Sequence, residues 1–161
     1  MLFRSPSRYC NGEPFEAFVR KTFGNLDGGA KIDSMRDWVE TNLEYVSGAS
    51  NGSTTAEDTF VQRRGVCRDF AHLLTAFARA AHLPARVVSV YAPGLTPPDF
   101  HAVVEVWLDG GWRLIDPTGM ARPEEMAVIC VGRDATDIAF MTVFGVATLN
   151  ELRVLVTRFP Q

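Results

Sequence analysis

Apolar residues in the first half of the chain recur at helical spacing, and from Pro84 onward they alternate. Phe15, Phe18 and Val19 fall three and four apart within Pro14–Thr22, and Gly24 closes that run. Trp38, Val39, Leu43 and Tyr45 mark a second helix, with Asp33 or Ser34 placed to cap it. Thr54-Thr55-Ala56-Glu57 has the spacing of a capping box, which predicts a third, short helix running to about Arg63 and stopping at Gly65. The fourth pattern is the clearest. Phe70, Leu73, Leu74, Phe77, Ala78 and Ala81 form one apolar stripe, and Pro84 ends it because a proline cannot continue the helix. Cys67 then lies at or just before the first turn.

Beyond Pro84, strands are expected at Ala85–Tyr91, Phe100–Leu108 and Gly111–Asp116, the last two joined by Asp109-Gly110. Further strands are expected at Met126–Val131 and Leu152–Phe159. Helices first and antiparallel strands afterwards define an α+β domain with a single sheet. Within Phe100–Leu108, residues Ala102, Val104, Val106 and Leu108 form a wholly apolar face that must meet the core. His101, Val103, Glu105 and Trp107 point the other way, toward a less buried side. A two-residue turn pairs Leu108 with Gly111 and sets Asp116 opposite Val103, diagonal to His101. Pairing Leu108 with Trp112 instead would break that parity unless a bulge restored it.

The chain of 161 residues fits one domain, with 1–30 as a lead-in, 31–145 as the core and 146–161 as a closing strand. Its 47% apolar and 22% charged residues are ordinary for a soluble globular protein. A net charge of −3 gives no electrostatic reason to expect nucleic acid or an anionic membrane as partner. No apolar stretch is long enough to span a bilayer, and the first residues lack an apolar signal core. Three unevenly spaced cysteines do not make a disulfide framework, so a reducing, cytoplasmic location is expected.

The ordered set Cys67, His101 and Asp116 supplies a thiol nucleophile, an imidazole base and an orienting carboxylate. A helix N-terminus stabilises negative charge, so a cysteine there is primed to ionise. Gly65 lets backbone approach the thiol, and the Cys67 N–H is itself a candidate oxyanion donor. Cys10 and Cys130 read as buried structural cysteines. His72 rides on the nucleophile helix and His82 precedes its proline stop. No paired Cys/His spacing suggests a metal, and no cofactor is expected.

At these residues the chain resembles the transglutaminase-like superfamily of papain-like cysteine peptidases, specifically its bacterial branch. The resemblance rests on Arg64-Gly65-Val66-Cys67-Arg68-Asp69-Phe70-Ala71-His72, Leu83-Pro84-Ala85-Arg86 and Asp99-Phe100-His101-Ala102-Val103-Val104-Glu105-Val106. Gly110-Gly111-Trp112-Arg113-Leu114-Ile115-Asp116-Pro117-Thr118-Gly119 and Gly132-Arg133-Asp134-Ala135-Thr136-Asp137 complete it. It implies a Cys67–His101–Asp116 triad on a cysteine-proteinase fold, acting on a peptide or protein amide through a thioester that passes to water or to an amine. Larger members carry a β-rich segment before this core, and the chain resembles the core alone. For a second oxyanion donor, Gln62 and Tyr45 are candidates. Glu105 and Trp107 either line the cleft or form a solvated strand face. Arg133, with Asp134 and Asp137, orders a loop or grips substrate, the former being favoured. Two other readings stand beside this one: a non-catalytic binding or scaffold module on the same fold, and an arylamine acetyltransferase-like enzyme. Substrate identity and oligomeric state stay open.

Overall fold

The computed structural model describes residues 2–139 and 141–158. Four helices, α1 (Glu16–Phe23), α2 (Gly28–Asn42), α3 (Ala56–Gln62) and α4 (Cys67–Ala80), precede a four-stranded antiparallel sheet. The sheet is built from β3 (Ala85–Tyr91), β4 (His101–Leu108), β5 (Gly111–Ile115) and β6 (Ala127–Gly132), in the order β5-β4-β3-β6. Two dipeptide strands, β1 (Glu44–Tyr45) and β2 (Arg64–Gly65), form a separate parallel bridge.

Helix α4 is the centre of the molecule. Every residue from Asp69 to Ala80 is buried, because the sheet covers one side of the helix and α1, α2 and α3 cover the rest. Small residues at 71, 76 and 78 let these neighbours approach, while Phe77 reaches into an aromatic group with Phe15, Phe18, Phe23, Trp38 and Phe60. Such ring contacts add to burial through edge-to-face geometry.

The hairpin takes the register its turn dictates, with Leu108 paired to Gly111 and Val104 to Ile115. Asp109 (φ 50°) and Gly110 (φ 79°) both adopt the left-handed conformation, as a type I′ turn requires.

Several local expectations are corrected. Helix α2 starts at Gly28, after an extended Asp27, and not at Asp33 or Ser34. It ends at Asn42, so Tyr45 is not helical but sits in β1. The capping box of α3 is shifted by one residue: Thr55 and Asp58 exchange side chain-to-backbone hydrogen bonds. Arg63 (φ 57°), two residues before Gly65, terminates α3 in the left-handed region, its guanidinium lying 4.6 Å from the Trp38 ring and 4.2 Å from the Phe60 ring. Residues 152–158 form no strand, and Phe159 lies outside the described residues.

The largest correction concerns the His101 face of β4, which is not solvated near the site. Val88, Val90, Ala92 and Val103 form a second apolar cluster there, covered by Leu95, Leu114, Ala121 and Met126. His101 is 2% exposed as a result. The segment after β5 folds back over this end of the sheet, which alternation within one strand cannot reveal.

Candidate active site

Three neighbouring structures place the thiol. Cys67 is the first residue of α4, where free N–H groups and the helix dipole favour negative charge. Asp69 then folds back: its Oδ2 accepts the Val66 N–H at 2.8 Å and the Ser50 hydroxyl, and its Oδ1 meets Arg68 at 3.3 Å. Arg68 also donates to the Ser50 hydroxyl and the Asn51 carbonyl, fastening the 47–53 loop to the helix start. The Asp69 side chain is wholly buried, with its charge compensated by Arg68. Gly65 serves this carboxylate rather than the thiol, since a Cβ at Gly65 would lie 2.7 Å from Asp69 Oδ2.

The parallel bridge of β1 and β2 carries Tyr45 beside Gly65, with the Val46 N–H bound to the Gly65 carbonyl at 2.9 Å. From there the Tyr45 phenol comes beside Cys67, close enough for the thiol to act on its ionisation. Burial first, and then the neighbouring thiol, push the phenol up to about 12, so it stays a neutral donor.

His101 opens β4 opposite Val90. Its Nε2 lies 3.0 Å from Asp116 Oδ2 and 3.5 Å from the Thr118 hydroxyl, leaving Nδ1 for Cys67, which lines the same cleft and acts on the ionisation of the imidazole. Asp116 is itself held from several directions. Its Oδ1 accepts the Thr118 N–H and hydroxyl at 2.8 and 2.7 Å, and its Oδ2 also accepts the Ala121 N–H at 3.0 Å. Burial opposes charge on both partners. At His101 the hydrogen bonds to Asp116 and Cys67 outweigh it and raise the imidazole to about 9. At Asp116 the bonds from His101 and Thr118 outweigh it and hold the carboxyl below the usual range.

This pair makes stability pH-dependent in a defined direction. The folded-state value of His101 exceeds the unfolded value near 6.5, so the full stabilisation is present below 6.5 and is lost as pH rises through 9. Denaturant unfolding at fixed ionic strength should lose about 3 kcal/mol across that window. Asp116→Asn should flatten the curve, and an unchanged slope in that variant would contradict the assignment.

A cleft of about 720 Å³ opens over Cys67 and His101. The structure thus brings together Cys67, His101, Asp116 and Tyr45. It does not bring in Gln62, which ends α3 exposed and away from the cleft lining. Glu105 is spent on Arg86 at 2.7 Å, and Trp107 packs edge-on against Trp112; neither lines the cleft. Arg133 pairs with Asp137, while its carbonyl accepts from Arg79, so this stretch orders a loop. Cys130 is not a core cysteine: it lines the cleft with its sulfur 3.1 Å from the Ser89 hydroxyl. Cys10 is fully buried, and burial pushes its thiol up. His72 is also fully buried; desolvation lowers it to about 3, and its neutral Nε2 accepts the Ala135 N–H. No group of metal-ligating side chains occurs among the described residues.

Sequence reasoning missed Asp69 and Thr118, although both had local signals. An acid at the third position of a helix is a capping-box partner, and a threonine two residues after an aspartate is a turn donor.

The profile of the Transglutaminase-like superfamily matches residues 16–117, and the chain belongs to that family. A structure described as a candidate cysteine protease from Cytophaga hutchinsonii superposes with a TM-score of 0.87 at 42% identity, covering 89% of this chain and 50% of that one. The periplasmic domain of TgpA from Pseudomonas aeruginosa shares the fold at TM-score 0.58 and 24% identity, covering 75% of this chain and 49% of that one. An uncharacterized protein of Mycobacterium leprae is 36% identical over 111 residues, 63% of this chain and 39% of that protein. The chain therefore spans half or less of the length of these relatives. Its fold is the transglutaminase-like, cysteine-protease fold.

Proposed function

We propose that the protein is a cysteine-dependent amide-bond enzyme acting on a peptide or protein, with Cys67 as nucleophile, His101 as proton carrier and Asp116 as orienter. The observation that carries this reading is the His101–Asp116 pair, 3.0 Å apart, with its imidazole in the same cleft as a thiol set at a helix N-terminus. In the reaction, the thiol proton resides on His101 and the thiolate attacks the carbonyl carbon. The Cys67 N–H and the Tyr45 hydroxyl, both beside the thiol, are the donors we assign to the developing oxyanion. His101 then protonates the departing amine, leaving a thioester. Water or a second amine attacks the thioester, gives its proton to His101 and expels the thiolate. Asp116 holds the imidazolium in orientation throughout. The three unpaired cysteines accord with a reducing, cytoplasmic setting.

Iodoacetamide alkylation of each cysteine, followed by mass spectrometry against pH, tests the reading. Cys67 should react selectively well below the pH at which an ordinary thiol does, and His101→Ala should remove that advantage. A Cys67 that alkylates no faster than a free thiol in the native fold would leave the cleft as a binding site without acyl chemistry.

A further inference from the structure

The cleft over Cys67 extends well beyond the triad, and its outer part is apolar. Ile129 on β6, Ile138 after it, and Met141 and Leu152 on the irregular C-terminal arm all line it. Ile129, Met141 and Leu152 are 42%, 49% and 44% exposed, respectively, so this surface is unsatisfied as it stands. Arg68, at the opposite rim, is already engaged by Asp69, Ser50 and Asn51. A concave apolar surface continuous with a thiol and an imidazole is the usual form of a specificity pocket.

We infer that Ile129, Ile138, Met141 and Leu152 form a subsite for a large apolar side chain of the acyl donor, next to the carbonyl that Cys67 attacks. This rests on the proposed function and deepens it by naming the substrate class: peptides with leucine-like residues flanking the acyl carbon. The arm bearing Met141 and Leu152, like Ile129 and Ile138, lies outside the family match at 16–117.

N-acetyl dipeptidyl chloromethyl ketones, with both residues Leu, Ala, Lys or Glu, provide the test. Each alkylates a cysteine thiolate by displacing chloride, and adduct formation at Cys67 is followed by mass spectrometry. The Leu-Leu reagent should react at least about tenfold faster than the Lys-Lys and Glu-Glu reagents, with Ala-Ala between. Leu152→Asp should erase most of that preference, each rate being taken relative to the iodoacetamide rate of Cys67 in the same variant. Phe144→Asp, on the same arm, 97% exposed and away from the cleft lining, should leave the preference unchanged. Rates independent of the side chain, or equal effects of Leu152→Asp and Phe144→Asp, would overturn the subsite while normal iodoacetamide selectivity kept the triad. Loss of selective iodoacetamide reactivity in the unmodified protein would sink the triad, and the subsite with it.

Discussion

Asp116→Asn is expected to slow acylation of Cys67 by about 10³- to 10⁴-fold while leaving the fold intact. The substitution keeps shape, and Oδ1 can still accept from Thr118. At Oδ2, however, an amide NH2 would face Nε2 and force that nitrogen to accept, moving the ring proton to Nδ1, the side that meets the thiol. An imidazole in that tautomer cannot take the thiol proton. With the Asp116 charge gone, burial would be opposed by Cys67 alone and would pull His101 down from its value near 9. The nitrophenolate burst from p-nitrophenyl acetate, compared at neutral pH, reads the effect directly. A burst rate within a few-fold of the unsubstituted protein would show that Asp116 does not orient His101.

The second large effect concerns stability. Asp69→Ala should cost about 3 kcal/mol, because it leaves the Val66 N–H, the Ser50 hydroxyl and the half-buried Arg68 without their shared acceptor. Gly65→Ala should be comparably harmful, since its Cβ would fall 2.6 Å from the Asp69 Cβ. The double substitution discriminates clash from general damage. With the Asp69 Cβ itself removed, the new Cβ finds room, so Gly65→Ala/Asp69→Gly should be little worse than Asp69→Gly alone. Additive losses in denaturant unfolding would mean that Gly65 is needed for some reason other than the carboxylate.

Much of the site was legible because it is written in local patterns. The position of Cys67 followed from one helical stripe and one proline. The approach of Asp116 to His101 followed from hairpin parity once Asp109-Gly110 was taken as a two-residue turn, and the observed Leu108–Gly111 pairing is that register. The resemblance to the transglutaminase-like family, read from short segments between about 30 and 145, agrees with a profile match at 16–117. The failures share a physical origin: each depended on what covers a residue from elsewhere. His101 looked half-solvated because nothing in β4 announces the 118–126 segment folding over it. Tyr45 looked helical because Leu43 and Tyr45 continue an apolar rhythm, yet the backbone turns extended to pair with Arg64 and Gly65. Gln62, five residues before the cysteine, was a candidate by proximity in sequence, but the left-handed turn at Arg63 leaves it outside. Met141 gave no signal, and Leu152 gave a false one as the start of an expected strand, because alternation there belongs to an irregular arm that pairs with no strand.

Arg79 bears on how much chain this fold requires. Its buried guanidinium has no direct carboxylate partner among the described residues; it is satisfied by the carbonyls of Cys10, Ala85 and Arg133 and by the Ser7 hydroxyl. Asp134 meanwhile accepts the Tyr9 N–H, and the Tyr9 ring stacks on His72, which in turn holds Ala135. Residues on both flanks of the family match are thus stitched through the central helix to one another. A fragment trimmed to 16–117 would strand a buried cation and a buried imidazole. The packing around the central helix therefore reaches from Ser7 to Ile138, and the stretch matched by the family profile is an excerpt from it rather than its outline.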